Sequence, residues 1–268
     1  MTVMAIVNQK GGVGKTTTAV NLAASLAIAE QDTLLIDIDP QGNASSGCGF
    51  SGAQLEDANV YHALIGQVDP QAVTRSTTAE YLSVMPAHIN LAGAEVELVP
   101  VVGRERKLSE MLDQIRDEYA YIILDCPPSL GILTINALTA ADSVLIPVQC
   151  EYYALEGLSK LLHTVSQIQR HLNPQLQIAG VLQTMYDGRL NIARTVATEL
   201  TSYFGDKVYK TIVHRNVRLA EAPSHGLPIA LFDILSQGAQ DYISLAGEII
   251  DRAERTIKGN ERCRPWIP

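Results

Sequence analysis

Residues 8–18 read Asn-Gln-Lys-Gly-Gly-Val-Gly-Lys-Thr-Thr-Thr, between a short apolar run, Val3–Asn8, and an alanine- and leucine-rich stretch, Lys15–Ala29. A buried strand, a glycine turn and a helix in that order commit the start of the chain to an α/β layout. The glycines let backbone N–H groups turn inward around an anion, and the helix N-terminus behind them adds positive potential. Gly14-Lys15-Thr16 forms the Gly-Lys-Thr close of a phosphate-binding loop, with Lys15 placed for the β- and γ-phosphates and the Thr16 hydroxyl for Mg²⁺. The usual pattern opens with a glycine five residues before Gly14. Here Gln9 stands at that position and Lys10 follows it.

The alternation continues down the chain. Thr33–Asp37, Tyr121–Asp125, Ser143–Val148 and Ile178–Thr184 are near-continuous apolar runs. Arg104–Asp117, Leu130–Ala140, Leu155–Leu172, Asn191–Tyr203 and Asp241–Lys258 show helical periods. Such a pattern predicts the α/β class: a single P-loop NTPase domain whose mostly parallel, twisted sheet carries helices on both faces. With 268 residues the chain is long enough for one large core of this kind. No internal repeat or linker-like stretch divides it, so residues 1–258 are expected to form one domain. Residues 259–268, with Pro265 and Pro268, are expected to fray.

Two acidic strand ends join the glycine loop. Asp37-Ile38-Asp39-Pro40-Gln41-Gly42-Asn43 closes one apolar run, at the sheet edge where ligands of open α/β sheets sit. Strand alternation sends Asp37 and Asp39 to one side, where carboxylates can hold Mg²⁺ through water or position an attacking water. Ile122-Ile123-Leu124-Asp125-Cys126-Pro127-Pro128-Ser129 ends another run in a carboxylate suited to hold Mg²⁺ through a water opposite Thr16. The paired prolines stiffen the loop that follows, and Cys126 reads as a small buried filler.

With these motifs the chain resembles the deviant Walker A ATPases, and within them the ParA/Soj partition proteins. The resemblance extends over about residues 1–250 and includes Gln149-Cys150-Glu151-Tyr152-Tyr153-Ala154-Leu155-Glu156-Gly157, Asn216–Ser224 and His225-Gly226. It implies ATP and Mg²⁺ as cofactors, held by Lys10, Gly11, Gly12, Val13, Gly14, Lys15, Thr16, Thr17, Asp125 and Pro127. It implies that Lys10 crosses a dimer interface to the partner's nucleotide, that Asp39 orients the hydrolytic water, and that Glu151 lies near the nucleotide and dimer face. Thr184-Met185 and Val213-His214-Arg215 would flank the adenine; related proteins often carry proline where this chain has His214. The implied partners are a second copy of the chain, non-specific duplex DNA met by Arg189, Arg215 and Arg218, and a ParB-type centromere-binding protein that accelerates hydrolysis. Catalysis would rest on Lys10, Lys15 and Asp39.

Charge sets a condition on the DNA reading. The formal net charge is −9, which repels nucleic acid and anionic membranes alike. Yet residues 181–220 hold six basic and three acidic side chains, a local +3, and phosphate binding needs only a local stripe. The alternative is a MinD-like membrane-positioning ATPase, which would end in a cationic amphipathic helix. Asp241–Lys258 instead mixes four acidic with three basic residues. No uncharged stretch exceeds 16 residues, and Met1–Val7 lacks a secretory leader, so a cytoplasmic, nucleoid-associated protein without stable membrane association is expected. Cys48, Cys126, Cys150 and Cys263 have no metal- or cluster-binding spacing, and the six histidines are dispersed.

Overall fold

Every central strand is buried on both faces, so its side chains alternate between two separate apolar layers. In β1 (Thr2–Ile6), Val3 and Ala5 enter one layer, while Met4 and Ile6 enter the other. The computed structural model describes residues 1–151 and 154–262, with side chains for all of these except 154–156 and 256–262. β2 (Thr33–Asp37), β3 (Arg75–Ser76), β4 (Leu82–Met85), β5 (Tyr121–Asp125), β6 (Ser143–Gln149), β7 (Gln177–Tyr186) and β8 (Val208–His214) complete the sheet. Its order is β3-β4-β2-β5-β1-β6-β7-β8, parallel throughout except for the antiparallel edge pair β3–β4.

The longer helices are α1 (Lys15–Ile28), α2 (Leu91–Glu97), α3 (Lys107–Leu112), α4 (Ile132–Ala140), α5 (Ala154–His171), α6 (Asn191–Phe204) and α7 (Gln237–Arg262). α1 and α7 cover one face: Leu22, Leu26, Tyr242 and Leu245 pack on Ile6, Leu35, Ile123 and Leu145. The others cover the opposite face, where Leu91, Leu108, Leu133, Leu161 and Val196 meet Ala5, Ile36, Leu124 and Ile146. The expected single domain with a helix-covered parallel sheet is therefore what the chain forms.

Sequence and structure differ in places, each with a tertiary cause. The expected helix over 104–117 is broken into a 3-10 turn at Arg104–Arg106, α3, and a second turn at Arg116–Glu118. The Asn136 side chain from α4 does this: its Nδ2 donates to the Arg104 carbonyl at 2.8 Å, and its Oδ1 accepts from Leu108 N–H at 3.0 Å. It thus stands between the two groups that a continuous helix would have joined directly. The helix expected from Leu130 starts at Ile132, because Gly131 is extended, at φ −75° and ψ −172°. β3, β4 and β8 have no apolar run long enough to announce them. α7 begins at Gln237 and continues to Arg262, four residues beyond the expected end, and residues 263–268 of the expected tail lie outside the described residues.

Candidate nucleotide site

β1, β2 and β5 are adjacent in the sheet, and their carboxyl ends are level: Ile6 pairs with Asp125, and Asp37 pairs with Asp125. Sheet register therefore brings the glycine loop and both acidic strand ends to one crevice, at the edge where α/β ligands bind. The loop turns through Gly12 (φ 72°) and Gly14 (φ 85°), left-handed positions that glycine adopts without strain. Gly14 is the N-cap of α1 and makes no side-chain cap, so the first N–H groups of α1 await an acceptor.

The two loop lysines face different ways. Lys15 is buried, and its Nζ donates to the Lys10 carbonyl at 3.3 Å, a long bond that leaves donors for a phosphate. Burial lowers its pKa, while Asp125, Cys126 and Asp39 oppose that shift. Lys10 points to the surface instead: its Nζ pairs with Glu151 Oε2 at 2.9 Å. Its backbone is held by Asn8, whose Oδ1 accepts from Lys10 N–H at 3.0 Å while its Nδ2 donates to the Pro147 carbonyl at 2.7 Å. Gln149 Nε2 donates to the other Glu151 oxygen at 2.6 Å.

The acidic groups have distinct environments. Asp37 is structural: its Oδ2 accepts from Ser45 N–H at 2.8 Å and Ser45 Oγ–H at 2.7 Å, and its Oδ1 accepts from Asp39 N–H at 3.1 Å. Burial pushes its pKa up to about 6 despite those bonds. Asp39 uses Oδ1 to accept from Gln41 N–H at 3.0 Å. Asp125 is fully buried, and neither of its oxygens has a hydrogen-bond partner; the Thr16 hydroxyl is near enough to favour the anion without satisfying it. Burial, and then the neighbouring Asp37, hold the Asp125 carboxyl well above the usual range.

An orphaned buried carboxylate facing a helix-start hydroxyl fits a divalent cation, whose charge reverses that balance. Thr16 and Asp125 are the residues that would hold Mg²⁺. Bound with ATP, Mg²⁺ bridges β- and γ-phosphate oxygens and neutralises charge that develops in phosphoryl transfer. Cys126 is buried, with its thiol pKa raised chiefly by burial, so it packs beside Lys15 as an inert filler. Pro127, also buried, follows it on the same loop.

Beside the loop lies a cavity of about 230 Å³ lined by Gly14, Thr17, Met185, Val213, His214 and Arg215, among others. The strand ends expected around an adenine therefore converge on the phosphate loop. Thr184 Oγ joins them, donating to the Val13 carbonyl at 2.8 Å. Met185 adopts φ 49° at this rim. Asp241, which no local pattern singles out, fixes the pocket wall: its Oδ2 accepts from His214 N–H at 2.8 Å and lies 3.0 Å from His214 Nδ1. A proline at 214 would lack that N–H. Larger cavities, of about 880 and 700 Å³, lie around β8 and α7 near Tyr209 and Arg252, away from the phosphate loop.

The expected DNA residues are arranged less simply than a stripe. Arg189, Arg215 and Arg218 are exposed near the carboxyl ends of β7 and β8, whereas Lys207 precedes β8 at its other end. Arg189 pairs with Asp187 at 2.6 Å, and Arg218 with Glu221 at 2.9 Å and Asp233 at 3.3 Å. Tyr152 and Tyr153 of the Gln149–Gly157 run lie outside the described residues.

A family model described as an AAA domain matches residues 1–178. Soj, the sporulation initiation inhibitor protein of Bacillus subtilis (strain 168), is 59% identical over 247 residues, covering 92% of this chain and 97% of that protein. The chromosome partitioning protein ParA of Myxococcus xanthus is 54% identical, covering 93% and 88%. A solved structure of cobyrinic acid a,c-diamide synthase from Mycobacterium smegmatis, with bound ADP and magnesium, is 34% identical with TM-score 0.82 over the whole of both chains. Fold and site define a P-loop ATPase that takes ATP and Mg²⁺. The chain belongs to the Soj/ParA family of chromosome-partitioning ATPases. Among the described residues no helix is long and apolar enough to cross a membrane.

Proposed function

We propose that ATP and Mg²⁺ close two copies of this chain face to face, that the closed dimer holds duplex DNA, and that hydrolysis reopens it. The observation that carries this reading is the orientation of Lys10. A lysine inside the phosphate loop turns its ammonium away from its own pocket, toward Glu151 on an exposed face. A cation so placed has phosphates to meet only on a facing copy, in the manner of an arginine finger supplied in trans. In each subunit Lys15 binds the β- and γ-phosphates, Thr16 and Asp125 serve the metal, and Asp39 orients the attacking water. Met185 and Val213–Arg215 enclose the base. By this reading Lys10→Ala leaves ATP binding in place but weakens ATP-dependent dimerisation about 10–100-fold, the worth of one charge-assisted contact. Light scattering with ATP measures it; an undiminished dimer refutes the trans role.

Arg189, Arg215 and Arg218 supply the DNA contacts, exchanging or sharing their carboxylate partners with phosphate. Pairing two subunits doubles the contacts and steepens the salt dependence, so dimerisation acts as a DNA-binding switch. Arg218→Ala should weaken DNA binding and flatten the slope of log affinity against log salt by about 1 per subunit, with ATP turnover unchanged. The deciding experiment is binding to non-specific duplex DNA across a salt series, with ADP and with ATP. ATP-dependent, salt-sensitive binding is the expected result; equal or absent binding in both states would favour the membrane or metabolic readings. A ParB-type protein bound at the centromere accelerates hydrolysis, and the cycle runs on the nucleoid.

A further inference from the structure

The negative charge of this protein is confined. Residues 16–103 contain one basic side chain, Arg75, against ten acidic ones, which equals the net −9 of the whole chain. This third of the sequence builds β2, β3 and β4, the sheet edge farthest from the arginines that follow β7 and β8. An exposed apolar surface lies within it. Ile89 (59% exposed), Val96 (74%), Val99 (59%) and Val102 (96%) project from α2 and the turns on either side of it. The acidic segment 56–61 is tied against this surface: Asn90 Nδ2 donates to the Glu56 carbonyl at 3.0 Å, and Tyr61 OH donates to Glu97 Oε2 at 2.8 Å. The nearest cation, Arg104, is already paired with Glu105 at 3.0 Å and donates to the Val99 carbonyl.

The same segment borders both acidic loops of the nucleotide site. Ala87 N–H donates to Ser45 Oγ at 2.8 Å, and that hydroxyl in turn donates to Asp37. A Cβ on Gly42 would sit 3.4 Å from the Ala87 carbonyl. Between them lies a cavity of about 260 Å³ lined by Pro40, Gln41, Phe50, Leu55 and Ile89, directly after Asp39 in the chain. On the other side, a Cβ on Gly131 would come within 2.9 Å of Glu95 Oε1, so Glu95 touches the loop that leads out of Asp125. A ligand seated on residues 89–102 therefore presses on the loops that carry Asp39 and Asp125.

We propose that residues 89–102, with the acidic segment 56–61 beside them, dock a cationic amphipathic segment of another protein, and that its seating tunes hydrolysis through the Asp39 and Asp125 loops. The valines call for an apolar face on the partner, and the confined negative charge calls for lysine or arginine around it. That charge turns away DNA and anionic lipid, which leaves a protein partner. The site lies across the sheet from the DNA arginines, so both ligands bind one subunit together. This inference rests on the partner-accelerated hydrolysis proposed above and adds a location and a chemistry to it.

The test measures ATP turnover on duplex DNA as the ParB-type protein of the same organism is titrated in. Three variants are compared with the wild type: Val96→Ser/Val102→Ser, Glu56→Lys/Asp57→Lys, and the control Glu80→Lys, which alters the same acidic edge elsewhere. The expected result is a tenfold or greater rise in the half-activating concentration for the first two, normal activation of the control, and unchanged unstimulated turnover and DNA binding throughout. If the wild type is stimulated and all three variants respond as it does, the docking surface is refuted while partner-accelerated hydrolysis stands. If all three variants lose activation alike, the effect is bulk electrostatics and the site is refuted. If the first two instead lose ATP-dependent self-association, the occupant is a second copy and the proposal is overturned. A wild type that shows no stimulation overturns the parent reading together with this one.

Discussion

Alanine at position 15 should abolish the stabilising response to ATP. In the wild type, Mg²⁺-ATP at a hundred times its dissociation constant adds about 2.7 kcal/mol to the folded state. For a chain of this size that raises Tm by about 5–10 °C, at roughly 2–4 °C per kcal/mol. Lys15→Ala should reduce the rise to near zero, because this ammonium is a buried cation at the loop with donors left over after a single 3.3 Å bond. The unliganded protein should also respond to the loss. Lys15 is a favourable charge for the buried Asp125, so without it the carboxyl moves further above the usual range. A carboxyl whose folded pKa is raised stabilises the fold while protonated, and that stability is lost as pH rises through the folded value. Lys15→Ala should therefore melt at a lower temperature at pH 8 than at pH 6, by a wider margin than the wild type. Differential scanning fluorimetry at both pH values, with and without Mg²⁺-ATP, reads the two effects together. A full ATP-induced rise in the variant would remove Lys15 from phosphate binding.

The parts of this site that sequence made legible are those that lie next to one another in the chain. Gly11–Thr17, Asp37–Asp39 and Asp125 each stand at the end of an apolar strand, and the parallel register then brings the strand ends level. Strands β2 and β5 form with the boundaries their apolar runs predict. What sequence does not show is contact between distant segments. Asn136 breaks a helix 28 residues away in sequence, and Asp241 fixes His214 across 27. Neither residue has a periodic or motif signal, since each acts through one side chain on another element's backbone. Strand β8, with polar residues among its β-branched ones, is recognised only by its pairing with β7. The two carboxylates of Asp37-Ile38-Asp39 look equivalent by alternation, yet only the fold shows that Ser45 occupies one of them. Opposite charges share the 181–220 segment and its surroundings, so counting the arginines there did not reveal that Asp187, Glu221 and Asp233 hold two of them.

That division between the two carboxylates makes Asp39→Ala the most informative single change to the chemistry. Asp37 spends both oxygens on backbone and hydroxyl donors of its own loop, so replacing it disturbs the fold around residues 39–45 before it touches catalysis. Asp39 spends Oδ1 on Gln41 N–H and, among the described residues, has no partner recorded for Oδ2, which can take a water's proton or fix its angle. A positioned base is worth about 10²–10⁴-fold in rate, or about 3–5 kcal/mol of barrier. Removing Asp39 should lower single-turnover phosphate release by that factor while ATP affinity stays within a few-fold of the wild type, because Lys15 and Thr16 are untouched. If ATP closes the dimer and hydrolysis opens it, the same variant should accumulate as an ATP-bound dimer that persists on DNA, whereas Lys15→Ala never forms one. The two variants would then be equally inactive for opposite reasons, one unable to close and the other unable to open. Unchanged phosphate release in Asp39→Ala would place the water's base elsewhere. Slow release from a variant that stays monomeric would separate hydrolysis from dimer opening and defeat the switch.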